Sequence, residues 1–249
     1  NVDGKISIES RNGKGTSQFR LIDQESVFGE IYFFLGEKQI HNARALSDAT
    51  VIFFNKGALK NIFARNQELS NHFLWHIWKS LNFQLHQYLE SLENTDEPSE
   101  FSSPAVKDLD QLWLQLEISS KVKFSPAVMS FLQECGDTID CKENQNVIEK
   151  DSNCNEIHIV LEGEVSLEID QEVVGIVTPG EVFAELALSQ SQYSSHLSAK
   201  ACSAQTKILK IEKSKLIEKM DQNSPKTASL MLSVCKIVAH KIQTLHQSY

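Results

Sequence analysis

Apolar and polar positions alternate from the third residue onward. In Asp3-Gly4-Lys5-Ile6-Ser7-Ile8-Glu9 a glycine opens a period-two run, and this pattern predicts a half-buried strand entered through a turn. The same pattern returns in Glu162-Gly163-Glu164-Val165-Ser166-Leu167-Glu168. Val27-Phe28-Gly29-Glu30-Ile31 then matches Val182-Phe183-Ala184-Glu185-Leu186, and Ala43-Arg44-Ala45 matches Ala199-Lys200-Ala201. Each is followed by a β-rich stretch, Thr50 to Phe54 and Thr206 to Ile211. Next comes a short amphipathic helix, Lys56 to Phe63 and Lys213 to Met220. A longer helix closes each series, about 67–92 and about 225–245. Matched landmarks in the same order mark an internal duplication.

The two copies differ in extent. Before Gly163 the chain offers Phe124-Ser125-Pro126 and strand patterns at Asn146 to Glu149 and Glu156 to Leu161. Only three residues precede Gly4, so the first copy is expected to lack its opening helix and strands. Strand edges would then be exposed unless something covers them. Asn94 to Pro104 is polar and acidic with two prolines, the composition of a surface linker. It separates a domain at 1–93 from one at 105–249, with 94–104 as the linker. A short helix carrying Leu109, Leu112, Leu114 and Leu116 follows it. Ser125-Pro126 and Ser224-Pro225 each place an N-cap serine before proline at the first helical position. The long helices hold apolar residues at helical spacing: Leu69, Phe73, Ile77, Leu81, Leu85, Tyr88 and Leu89 in one, Leu230, Val234, Ile237, Val238, Ile242 and Leu245 in the other. Such faces need a partner: their own barrel, the other repeat or a second chain. A protein partner or self-association through helices 67–92 and 225–245 is expected.

Composition narrows the function. The chain has 249 residues, with 24 Lys plus Arg against 33 Asp plus Glu, a net charge of −9. That balance disfavours non-specific nucleic-acid binding, which needs a phosphate-neutralising surface, and electrostatic docking on an anionic membrane. The densest apolar stretch, Phe73 to Leu89, is broken by Lys79, Asn82, Gln84 and His86, so no direct membrane insertion is expected. No signal-peptide pattern opens the sequence, and with Asn at position 1 that residue is expected not to be the natural start. The five cysteines (Cys135, Cys141, Cys154, Cys202, Cys235) form no CxxC pair. Reduced thiols in a cytoplasmic protein are expected over zinc or a redox motif.

A glycine-entered strand followed by Pro-Gly-x-x-Phe-x-Glu-Leu-Ala-Leu at Pro179 to Leu188 resembles the cyclic nucleotide-binding domain family. The resemblance spans nearly all of 124–249, and 4–92 with its start missing. It implies a mainly β fold with flanking helices: two tandem jelly rolls of the eight-stranded type, each ending in two helices. It further implies a phosphate-binding cassette, in which backbone N–H groups and an Arg guanidinium hold the cyclic phosphate and a Glu accepts from the ribose 2′-hydroxyl. Carried over, the first cassette comprises Phe28, Gly29, Glu30 and Ile31, with Gln39 where the Arg would fall. The second comprises Phe183, Ala184, Glu185 and Leu186, with Ser194 or Ser195 at the Arg position. Arg44 lies in the following strand and matches Lys200. Neither copy has the phosphate Arg. A hydrogen bond to a charged group is worth roughly 1.5–3 kcal/mol, so cyclic nucleotide should bind at least tenfold more weakly. No cofactor is expected, and cyclic nucleotide is the alternative. Glu30 and Glu185 could equally cap the short helix that follows.

The remaining constellations carry less. Asn12-Gly13-Lys14-Gly15-Thr16 lacks the spacing of a phosphate loop and reads as a hairpin turn. His72 and His76 share a helix face without an evident third ligand. Trp75 and Trp78 read as core or interface, and Asp108 and Asp110 as a solvated helix start. No nucleophile, base and orienter stand in a recognisable order, so no enzyme is expected within these residues. The family's transcription factors place a helix-turn-helix after the last long helix. This sequence ends at Tyr249 directly after it, and no DNA binding is expected. The sequence therefore predicts a regulatory or interaction module that has lost standard cyclic-nucleotide binding and docks protein. The alternative is a second-messenger sensor that repositions its C-terminal helices on ligand binding.

Overall fold

The computed structural model of the protein describes residues 2–12, 15–22, 27–36, 41–93, 109–118, 122–189, 193–222 and 224–247. The expected linker and Gln39 lie outside them. The first copy contributes β1 (Val2–Asp3), β2 (Ile6–Asn12), β3 (Gly15–Ile22), α1 (Glu30–Leu35), β4 (His41–Ala45), β5 (Thr50–Val51), α2 (Lys56–Arg65) and α3 (Gln67–Glu93). Helix α4 (Leu109–Ile118) comes next. The second copy contributes α5 (Pro126–Gln133), β6 (Asp137–Lys142), β7 (Asn146–Ile148), β8 (Glu156–Glu162), β9 (Val165–Ile169), β10 (Glu172–Val177), β11 (Val182–Phe183) and a 3-10 turn (Glu185–Leu188). It ends with β12 (Ser198–Ala201), β13 (Gln205–Glu212), α6 (Lys213–Asp221) and α7 (Pro225–Gln247).

The second copy is a two-sheet jelly roll. One antiparallel sheet runs β10-β9-β12-β7 and the other β11-β8-β13-β6. Ile157, Ile159, Val165, Leu167, Ile208 and Leu209 are all buried; successive side chains of a strand point to opposite faces, so the neighbours Ile208 and Leu209 bury both faces of β13. In the first copy the sheets are β3-β2-β4 and β1-β5. Strand β2 takes the place of β9, with Ser7 opposite Arg44 as Ser166 is opposite Lys200.

One glycine in each copy fixes this correspondence. Gly4 and Gly163 both have left-handed φ, +103° and +74°. A Cβ there would stand 2.1 Å from the Asp48 carbonyl oxygen and 2.4 Å from that of Gln205. Backbone passes too close for any side chain, so both sites require glycine. Asp48 thus corresponds to Gln205 and Thr50 to Lys207, as the pairings Asp3–Thr50 and Glu162–Lys207 also require. Gly163→Ala is expected to cost about 1–2 kcal/mol from the left-handed backbone alone, with more from the clash, read as a lower midpoint in urea unfolding. An unchanged midpoint would refute this account of the turn.

The same correspondence exposes a difference. Strand β13 is paired on both sides, by β8 and β6, and its Ile208, Leu209 and Ile211 are fully buried. Among the described residues β5 pairs only with β1, and Val51 to Phe54 are between 47% and 84% exposed.

The long helices find their partner in each other. Leu74, Ile77, Leu81 and Leu85 of α3 and Met231, Val234, Val238 and Ile242 of α7 are all buried, and the two helices run in close contact, with α1 also against α7. The Tyr88 hydroxyl and His246 Nε2 are hydrogen-bonded across this seam at 3.0 Å. Of the three partners the sequence allows, the other repeat thus takes up the apolar stripes. Ser125 Oγ accepts from the Val128 N–H and Ser224 Oγ from the Thr227 N–H, so both serines cap as their Ser-Pro pairs predict. Among the described residues no helix is long and apolar enough to cross a membrane.

Candidate functional site

In the second copy, β11 ends at Phe183 and the chain turns at Ala184 in the left-handed conformation, φ +59°. Gly29 takes the same conformation in the first copy, φ +82°. The replacement of glycine by alanine therefore keeps the turn, at the roughly 1 kcal/mol a side chain costs there. Phe183, Glu185 and Leu186 are buried. Ala184 is the N-cap of the 3-10 turn and Gly29 of α1, which places Glu185 and Glu30 at the first position of each.

Both carboxylates reach instead for the long helix of their own copy. Glu30 Oε1 accepts a hydrogen bond from Gln84 Nε2 of α3 at 2.7 Å. Glu185 Oε1 lies 3.1 Å from Lys241 Nζ of α7, both side chains 1% exposed. This contact is an ion pair without aligned hydrogen-bond geometry, and Glu185 Oε1 has no directional donor among the described residues. The Lys241 ammonium donates to the Leu116 carbonyl near the end of α4. Gln84 and Lys241 occupy equivalent places, each eighteen residues after an asparagine (Asn66 and Asn223) that precedes the long helix. Sequence reasoning missed them because each is one polar residue inside an apolar stripe. The signal was that the interruption falls at the same place in both copies.

A carboxylate of α4 stands beside this turn. Glu117 of α4 is buried. Its Oε1 accepts from the Tyr193 hydroxyl at 2.6 Å and the His196 N–H at 2.9 Å, and stands 3.2 Å from His196 Nδ1. The His196 ring stacks on Trp113 of the same helix, centroids 4.2 Å apart and planes 15° off parallel. Burial and the Glu117 charge push the Tyr193 hydroxyl well above its usual pKa, so it stays a donor. Ser195 is buried with its hydroxyl bonded to the Leu197 carbonyl at 2.8 Å, whereas Ser194 is exposed. A cavity of only about 10 Å³ remains between Glu117, Phe183, Ala184 and Ser195, room for about one water molecule.

The first cassette is built differently. Phe28, Gly29 and Glu30 line a cavity of about 280 Å³ whose other walls are apolar, including Phe33, Phe54 and Phe73. Ile31 points into the core. Past α1, the Tyr32 hydroxyl is bonded to His41 Nδ1, and the His41 ring meets His246 of α7 edge-on at 4.8 Å. Burial lowers the His41 pKa, which favours the neutral ring. Arg44 projects from β4 toward Glu9, 3.8 Å away and largely exposed. Its counterpart Lys200 pairs with Glu168 at 2.6 Å. Neither cation reaches a cassette glutamate in these contacts.

Among the described residues no group of three or more His, Cys, Asp or Glu could hold a metal, and His72 and His76 are both exposed. Trp75 and Trp78 lie against each other at a tilt, ring centroids 5.0 Å apart and planes 38° off parallel. The described cysteines form no disulfide, and burial raises the pKa of Cys235, Cys154 and Cys135, leaving unreactive thiols.

No curated protein matches the chain. Among solved structures, the cyclic-di-GMP-responsive global regulator CLP of Xanthomonas campestris is 16% identical, the match covering 49% of this chain and 60% of that one with a TM-score of 0.41. The Thermus thermophilus catabolite activator protein is 16% identical over 49% of this chain and 54% of its own, TM-score 0.35. The cAMP-bound PfPKA-R is 14% identical over 88% of this chain and 65% of its own, TM-score 0.35. The family model described as the cyclic nucleotide-binding domain matches residues 2–66 and 138–223, one segment in each copy and together more than half of the sequence. The chain belongs to the cyclic nucleotide-binding domain family.

Proposed function

We propose that this chain is a non-enzymatic regulatory module whose two cassettes have lost standard cyclic-nucleotide binding and which works by docking protein. The observation that carries the reading is the second cassette: its cavity is about 10 Å³, whereas small-molecule sites run to roughly 300–1,000 Å³. Its anion position faces a carboxylate instead of offering a guanidinium. The first cassette has volume but presents apolar walls and a glutamate, a poor match for a cyclic phosphate.

Docking is supported by the apolar run from Val51 to Phe54, which flanks that larger cavity and is exposed. Apolar surface beside a strand edge is where an added β segment gains both burial and backbone hydrogen bonds. The segment that fits is extended with alternating apolar side chains, because β8 and β6 cover the equivalent strand in this manner in the second copy. Of the long helices, α3 contributes Phe73 and Ile77 to this cavity, whereas the rest of its stripe packs against α7. The unreactive thiols suit a cytoplasmic setting.

Isothermal titration with cyclic AMP, cyclic GMP and a cyclic dinucleotide tests the loss of binding. No saturable heat is expected up to about 1 mM ligand. Micromolar binding, abolished by Glu30→Ala or Glu185→Ala, would replace this proposal with the second-messenger sensor.

A further inference from the structure

We infer that α4 is a built-in ligand of the second cassette: the Glu117 carboxylate occupies an oxyanion slot formed by Tyr193 and His196, and keeps that slot from small anions. The inference rests on the reading that this cassette has given up standard nucleotide binding, and it names what holds the place.

The slot has the features of an anion site. Three donor groups converge on one atom, Glu117 Oε1: the Tyr193 hydroxyl, the His196 backbone N–H and the His196 ring nitrogen. With Nδ1 within reach of the carboxylate, the tautomer protonated there is the one the contact selects. Tyr193 is fully buried, and its hydroxyl is engaged by Glu117 with the Ser195 side chain also within hydrogen-bond reach. The slot is therefore a set of buried donors suited to an anion or an equivalent acceptor. The cavity beside it is bounded by Phe183, Ala184 and Ser195, the turn and Arg-position residues of the cassette.

The helix is held at a second point. Lys241 donates to the Leu116 carbonyl and pairs with Glu185, so the cassette glutamate, the end of α4 and α7 meet at one ammonium. Trp113, one turn before Glu117, covers the other face of His196. An oxyanion entering the slot must lift the α4 end away from the His196 ring. Occupancy by a small anion and docking of α4 are thus mutually exclusive, and the chemical class of competitor is a phosphate or carboxylate.

The test uses the whole chain and two probes, inorganic phosphate and cyclic AMP. Glu117→Ala is expected to bind inorganic phosphate saturably, at least tenfold more tightly than the wild type, because the internal competitor is gone. A merely structural glutamate would give no such gain. Equal binding by the two proteins, or none by either, overturns the inference. Should Glu117→Ala fail to fold, Glu117→Gln decides: it keeps an acceptor oxygen but removes the competing charge. Phosphate should then change Trp113 emission at a lower concentration than in the wild type, with Trp113→Phe as the blank and sodium chloride of equal ionic strength as the control. Equal responses overturn the inference. Cyclic AMP separates the two levels of argument. A variant that gains phosphate while both proteins ignore cyclic AMP leaves both readings standing. A wild type silent to cyclic AMP whose variant gains neither ligand leaves the loss of nucleotide binding standing and removes the built-in ligand. A wild type that binds micromolar cyclic AMP, and a variant that binds it tenfold tighter, does the reverse.

Discussion

Lys241→Met is expected to destabilise the protein by about 3–5 kcal/mol, the cost of stranding a buried charge by removing its partner. Both Lys241 and Glu185 are 1% exposed and 3.1 Å apart. Either charge alone would be held in a low-dielectric interior with little hydration to replace the pair. The lysine also satisfies the Leu116 carbonyl, which the thioether of methionine cannot do. Methionine nearly conserves the side-chain volume, so the loss would report charge and hydrogen bonding more than packing. Adding Glu185→Gln should return most of the stability, because neither charge is then left alone. A double-mutant cycle in urea separates these terms. A single variant within about 1 kcal/mol of the wild type would show that the pair contributes little beyond an apolar contact. Loosening of α4 should accompany the loss, since the same ammonium holds Leu116 beside Glu117.

Much of this architecture is legible in the sequence because it is written twice. The strand after Gly4 and the strand after Gly163 share a period-two pattern, and the structure places both as central strands beside a close backbone crossing. The helices are legible because Ser125-Pro126 and Ser224-Pro225 mark starts and the apolar spacing marks faces. Periodicity gave the stripes of α3 and α7 but not what covers them, because a 3.6-residue repeat says which face is buried and nothing about the surface it meets. The buried glutamates Glu30 and Glu185 stand out in the repeated motif, whereas their partners do not. Gln84 and Lys241 lie more than fifty residues away, and Glu117 belongs to a helix that the repeat does not include. A glutamate at the end of a short helix has the composition of solvent-facing surface. Only the fold turns it inward, where Tyr193 and His196 make the burial of its carboxylate tolerable.

Between pH 7 and about pH 4.5 the wild type is expected to lose about 2–3 kcal/mol of stability through His158 alone, from the linkage of roughly 1.4 kcal/mol per pH unit. This residue of β8 is 2% exposed, stacked on the cassette residue Phe183 with ring centroids 5.1 Å apart. Burial, and secondarily the charge of Lys210, lowers its pKa from the usual 6.5 to about 3. Glu156 Oε2 stands 3.7 Å from His158 Nε2, too far for a hydrogen bond, and the same oxygen is engaged by Lys210 at 2.8 Å. The carboxylate therefore does not rescue the protonated ring. The sign follows from which state takes the proton first. The unfolded chain binds it near pH 6.5 and the folded one only near pH 3, so the contribution is complete above pH 6.5 and falls away as the pH drops toward 3. In His158→Leu this acid limb should flatten. Subtracting the two stability curves from urea unfolding at each pH removes any constant packing difference and leaves a slope. Parallel curves would mean that the ring is hydrated or paired in the folded state. Because Phe183 leads directly into Ala184 and Glu185, protonation of His158 forces charge beneath the turn that carries the cassette. Acid should therefore open this part of the second copy before the α3–α7 seam, which can be followed as earlier loss of amide protection in Ile157–Val160 and Val182–Leu186 than in Leu81–Leu85.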